Sequence, residues 1–137
     1  CDICQICCPY NKGIHNPLAS EIDPELAEPE LLPFLELSNS QFKKKFGMIA
    51  GSWRGKNILQ RNAIIALANG HDKSALVKLM EIIDKNNNPI HTATAIWALG
   101  EIVKKPTQEL YDFILSIHSD NDAIIKERTA LLNRWQF

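Results

Sequence analysis

The chain has 137 residues, 45% of them apolar and 23% charged, with a formal net charge of −1 at pH 7. This length and apolar content suit one buried core, and a balance so near zero gives no overall electrostatic pull toward nucleic acid or an anionic membrane surface. No apolar run approaches the roughly 18 residues of a membrane span and no signal-peptide core is present, so the expectation is a cytoplasmic, monomeric protein without a membrane partner.

The first eight residues hold all four cysteines, Cys1, Cys4, Cys7 and Cys8, in the stretch CDICQICCPYN. The chain begins at a cysteine rather than a methionine, and is therefore expected to be a piece of a longer protein. A disulfide framework closes loops across a fold, which four crowded thiols do poorly. Zinc usually draws a second pair of ligands from another knuckle or a His pair, and His15, His71, His91 and His118 stand singly. A redox C-x2-C belongs in a strand-rich pattern, which does not follow. Read as Cys1, Cys4, Cys8 and Pro9, the spacing is C-x2-C-x3-C-P, the closing part of the ferredoxin run C-x2-C-x2-C-x3-C-P. In two-cluster modules the cysteine before the proline ligates the neighbouring cluster. Cys1 and Cys4 are thus expected to bind one 4Fe-4S cluster and Cys8 the other, with Cys7 a small apolar bystander and the remaining ligands upstream. A zinc knuckle stays open as the alternative.

Residues 1–12 are accordingly assigned to the end of an iron-sulfur module. Four prolines, Pro17, Pro24, Pro29 and Pro33, follow Pro9 and exclude long helices there, so 13–52 is read as a proline-rich connector with short helices. PELLPFLEL can hold one such helix. Ser38 or Ser40 can cap the next, QFKKKF, which Gly47 would end. Charge along this part is segregated: Glu21, Asp23, Glu25, Glu28, Glu30 and Glu36 lie between Lys12 and Lys43, whereas 37–71 contains no acid and carries Lys43, Lys44, Lys45, Arg54, Lys56 and Arg61.

From Trp53 to the end the pattern is helical. Leu76, Leu79, Met80 and Ile83 repeat as Leu110, Phe113, Ile114 and Ile117 at an offset of 34, and AIIALA (63–68) returns as AIWALG (95–100) at an offset of 32. One-sided helices alternating with helices apolar nearly all round point to stacked helix pairs, so 53–137 is read as HEAT-like repeats in an all-α fold. Gly70, Asn86–Asn88, Pro106 and Asp120–Asp122 mark turns, and a last helix runs from Ile124 to Trp135. Apolar spacing assigns Met80, Trp97 and Trp135 to the core, and His91 and His118 to surface or boundary positions. No paired carboxylates, Ser/His/Asp set or phosphate-binding glycine loop is present, so no catalytic and no cofactor-binding residue is nominated.

Two stretches carry a family resemblance. CDICQICCPYN resembles the second cysteine motif of epoxyqueuosine reductases, C-D-x-C-Q-x-x-C-P-W-N, with Tyr10 in place of Trp and Cys7 in place of an apolar residue. QFKKKFGMIAGSWRGKNILQRNAIIALANG resembles the same family's basic helix, W-x-G-x-N and R-N-A-x-x-A-L-x-N run, in the same order. The resemblance implies a C-terminal part of an oxidoreductase in which electrons pass through two 4Fe-4S clusters to a cobalamin, bound upstream, that reduces epoxyqueuosine to queuosine in tRNA. It also favours reading Lys43, Lys44, Lys45, Arg54, Lys56 and Arg61 as RNA contacts, with Trp53 able to stack. Arg61 is the least secure of these, because it can instead lie between repeats. The competing readings are a solvated basic face and a non-enzymatic interaction module carrying a metal knuckle.

Overall fold

A computed structural model describes residues 3–13 and 23–135, and these are helical or irregular throughout, with no strand among them. Four short helices come first, α1 (Ile3–Cys7), α2 (Pro24–Ala27), α3 (Leu31–Leu35) and α4 (Asn39–Phe46). Five more follow, all but α8 longer: α5 (Lys56–Asn69), α6 (Leu76–Lys85), α7 (Pro89–Ile102), α8 (Gln108–Leu115) and α9 (Asp122–Arg134). Capping follows the expected chemistry. Ser38 starts α4 with a capping box, its Oγ accepting from the Gln41 N–H at 3.2 Å while the Ser38 N–H donates to Gln41 Oε1 at 2.8 Å. Asn88, Thr107 and Asn121 cap α7, α8 and α9, their side-chain oxygens accepting from first-turn backbone N–H groups without a reciprocal bond.

α7 occupies the centre. It packs against α5 on one side, α9 on the other, and α6 behind, while α8 packs on α9 and α3 on α5. The row α5, α7, α9 is thus backed by α3, α6 and α8. Small residues make such close packing possible. Ala95 and Ala98 have no exposed surface, and a Cβ on Gly100 would sit 2.5 Å from Leu131 Cδ1 and 3.1 Å from Arg134 Nη1 of α9. Burying Ile96 and Leu99 of α7 completely contributes about 1.5–3 kcal/mol each.

The proline-rich stretch is no free connector over 31–46. The lysines of α4 leave Phe42 and Phe46 four residues apart on its opposite face, and these rings meet Phe34 of α3 with centroids 6.1 and 5.1 Å away. This aromatic cluster joins the main core through Leu31 and Leu35, which touch both. Gln60 fixes the joint. Its buried amide nitrogen donates to the Phe34 and Leu35 carbonyls at 3.1 and 3.0 Å, and Lys56 Nζ donates to the Leu37 carbonyl at 3.1 Å. Orphan carbonyls at the end of α3 are so satisfied by donors on the first turns of α5.

Two expectations follow. Alanine normally gains about 1 kcal/mol over glycine inside a helix, but a Cβ at Gly100 would meet Leu131 Cδ1 at 2.5 Å, and Leu131 is only 4% exposed. Gly100→Ala is therefore expected to destabilise by about 1–2 kcal/mol, read as a lower urea midpoint, and a raised midpoint would contradict the close α7–α9 approach. Lys56→Met, which keeps the stem and removes the donor, is expected to cost about 0.5–1.5 kcal/mol, measured the same way, whereas an unchanged midpoint would mean the Leu37 contact contributes nothing.

Candidate functional site

Cys4 and Cys7 lie one turn apart on α1, and Cys8 follows at the entrance to a 3-10 turn, Pro9–Asn11. The turn folds back on the helix. The Asn11 N–H donates to the Cys8 carbonyl at 3.1 Å, and Asn11 Nδ2 donates to the Gln5 carbonyl at 3.2 Å, so the proline and asparagine of the C-P-Y-N run hold Cys8 close to the end of α1. Cys4 and Cys7 are exposed, Cys8 is half-buried, and all three are free thiols. Cys1 lies outside the described residues. Beside these thiols Ile3, Ile6 and Tyr10 are also exposed. Among the described residues no three His, Cys, Asp or Glu side chains are grouped so that they could hold a metal ion, so a cluster at this turn would need donors from elsewhere.

The six predicted basic residues do not share one environment. Lys43 and Lys44 are exposed on α4 with no partner among the described residues. Lys45 pairs with Glu25 and lies 5.7 Å from the centre of the Phe46 ring. Arg54 stacks at 4.2 Å over Trp53, which is 74% exposed. A 3-10 turn, Ser52–Arg54, holds this pair outward, closed by the Gly55 N–H on the Ser52 carbonyl at 2.9 Å. Gly55 leaves the turn at φ 82 and ψ 158, a conformation essentially open to glycine alone, which accounts for its place between Arg54 and Lys56. Lys56 is turned inward onto the Leu37 carbonyl. Arg61 is exposed, not wedged between helix pairs, and shares a face of α5 with Ile65, four residues on.

Arg61 opens a feature that charge runs in the sequence did not indicate. Between α5, α7 and α9 lies a groove of about 500 Å3, walled by Arg61 and Ile65 on α5 and by Lys126 on α9, with Ile90, Ala93 and Trp97 of α7 between them. Trp97 was placed in the core by its spacing. It is half-buried, with one side on the core and the other lining this groove. Lys126 stood in an unremarkable amphipathic helix, and only its three-residue step from Ala123, which also lines the groove, aligns it with the row. At the far end Arg134 donates to Glu101 Oε1 at 2.8 Å through both terminal nitrogens. The guanidinium hydrogen bond keeps the Glu101 carboxyl below the ordinary glutamate range. His91 was read as a boundary residue and is a bridging one, its Nε2 within 2.8 Å of the Asn57 carbonyl of α5. Among the described residues no helix is long and apolar enough to cross a membrane.

No family model matches the chain. An epoxyqueuosine reductase from Listeria monocytogenes is 44% identical over 135 residues, covering 97% of this chain and 35% of that protein. The structure of epoxyqueuosine reductase from Streptococcus thermophilus superposes with a TM-score of 0.94 at 68% identity, over 100% of this chain and 36% of that one. A crystal structure of an epoxyqueuosine reductase with a tRNA-Tyr epoxyqueuosine-modified tRNA stem loop gives a TM-score of 0.84 at 41% identity, over 100% of this chain and 37% of the other. The chain spans about a third of the length of these proteins, and over that span it is similar to epoxyqueuosine reductases.

Proposed function

We propose that this chain forms part of an oxidoreductase that converts epoxyqueuosine to queuosine in tRNA, and that its share of the work is to complete iron-sulfur clusters and to hold the tRNA. The observation that carries the reading is the unbroken likeness to one reductase across the thiol turn and the helix rows together. Cys1 and Cys4 would ligate one 4Fe-4S cluster and Cys8 its neighbour, with the bend at Pro9 separating the two roles. The clusters supply electron transfer, and a cobalamin held by another part of the protein supplies the reducing chemistry. Residues 1–12 would then be the end of a ferredoxin-like module, 13–52 a connector whose later half packs on α5, and 53–137 a HEAT-like array. A tRNA substrate places the protein in the cytoplasm, and nothing in the reading requires a second copy.

On this reading the exposed cations of 43–54 position tRNA through its phosphates. Lys43, Lys44 and Arg54 are the freest. Lys45 must exchange Glu25 for phosphate, a surface pair worth about 1 kcal/mol or less. Lys56, bound to a backbone carbonyl, is the least available of the six, and Arg61 belongs to the groove.

Two measurements test these roles. Full-length protein reconstituted without oxygen is expected to carry about eight irons, and Cys4→Ala and Cys8→Ala are expected to remove different electron paramagnetic resonance signals, while Cys7→Ala keeps both. Identical spectral losses from Cys4→Ala and Cys8→Ala would contradict the crossed ligation. Separately, Lys43→Gln, Lys44→Gln and Lys45→Gln combined are expected to flatten the log–log salt dependence of tRNA binding by about two units, since each lost phosphate contact removes roughly 0.7–0.9. Wild-type affinity and slope in that variant would return the lysines to a merely solvated face.

A further inference from the structure

We infer that the groove between α5, α7 and α9 is a subsite for one unpaired RNA nucleotide, its base against Trp97 and its phosphate between Arg61 and Lys126. The inference rests on the tRNA-binding reading but concerns a surface distinct from the lysines of α4. Three observations carry it. Arg61 and Lys126 stand on opposite walls, exposed and with no ion-pair partner among the described residues, although Glu101 of α7 and Arg134 of α9 pair with each other. Trp97 is the one aromatic residue in the lining, and Ala93 and Ala123 beside it leave the space that larger residues would fill. The volume, about 500 Å3, is that of a small-ligand pocket.

An aromatic floor flanked by two unpaired cations suits a stacked base with its phosphate, the combination by which single-stranded RNA is held. A base inside a duplex cannot reach such a floor. Glu127 also lines the groove, where its charge would disfavour a phosphate, so the phosphate is placed toward the Arg61 side. Lys126 then closes it from across the groove.

The test uses the full-length protein containing this chain and a tRNA stem loop. Arg61→Gln with Lys126→Gln is expected to flatten the salt slope by roughly 1.5 units. Trp97→Leu is expected to weaken binding roughly 5- to 150-fold with little change of slope. Since Trp97→Leu can disturb the core, a second readout uses the unaltered protein. 5-Iodouridine in the unpaired loop is expected to crosslink to Trp97 on irradiation, and 5-iodouridine in the stem is not. Groove variants that bind with wild-type affinity and slope, or a loop crosslink that maps to Trp53 and not Trp97, would overturn the subsite. If the α4 triple variant still weakens binding in that case, the lysine reading survives. Failure of the unaltered protein to bind the stem loop would sink both.

Discussion

The arrangement depends on α7 being covered from three sides. Eight of its fourteen residues are buried, Thr92, Ala93, Ala95, Ile96, Ala98, Leu99, Gly100 and Ile102, and no two-helix contact can hide so wide an apolar surface. α5, α6 and α9 must therefore all close on it. Gly100 lets α9 come within touching distance, and Thr92 satisfies its buried hydroxyl on Asn86 Oδ1 at 3.0 Å. What stays uncovered is a single stripe, Ile90, Thr94, Trp97 and Glu101, at helical spacing. The floor of the groove is the residue of surface left after α7 has been packed.

Helix ends impose the second constraint, because packed helices bring their last carbonyls where water reaches poorly. Donors from the neighbouring helix answer it repeatedly. Gln60 and Lys56 serve the end of α3, Arg128 serves the Ile114 and Leu115 carbonyls of α8, and Trp135 Nε1 serves Val103 after α7. His71 Nδ1 reaches the Glu101 carbonyl, so its proton sits on that nitrogen. This divides the cations by duty. Lys56 and Arg128 hold carbonyls and Lys78 bridges Glu36 and Glu81, whereas Lys43, Lys44, Arg61 and Lys126 are among the cations with no such partner among the described residues.

Helix positions and caps were legible in the sequence, since Ser38, Asn88, Asn121 and the 34-residue recurrence of apolar spacing are local signals. Docking of α3 and α4 onto α5 was not, because it is made by Gln60 reaching carbonyls some 25 residues away in sequence, and a polar residue in an apolar helix announces no partner. The iron-sulfur reading of the cysteines is a proposal carried by their spacing and by resemblance. The basic run was legible from its charge, Trp53 and the family resemblance, none of which separates Lys56, bound inward, from Lys44, exposed. Trp97 was hidden for a related reason: a 3.6 period marks it as apolar-facing whether that face meets a core or a groove.

On the proposed reading this chain offers RNA two surfaces, the loop beside α4 and the α5–α7–α9 groove, on a frame held by α7. Hydroxyl-radical footprinting of the full-length protein, with and without a tRNA stem loop, reads side chains directly by mass spectrometry. Trp53, Trp97 and Trp135 are internal reporters, being exposed, half-buried and 3% exposed. The account predicts that RNA protects Trp53 and Trp97 and leaves Trp135 unchanged. Oxidation of Trp53 and Trp97 that is the same with and without bound RNA would contradict it.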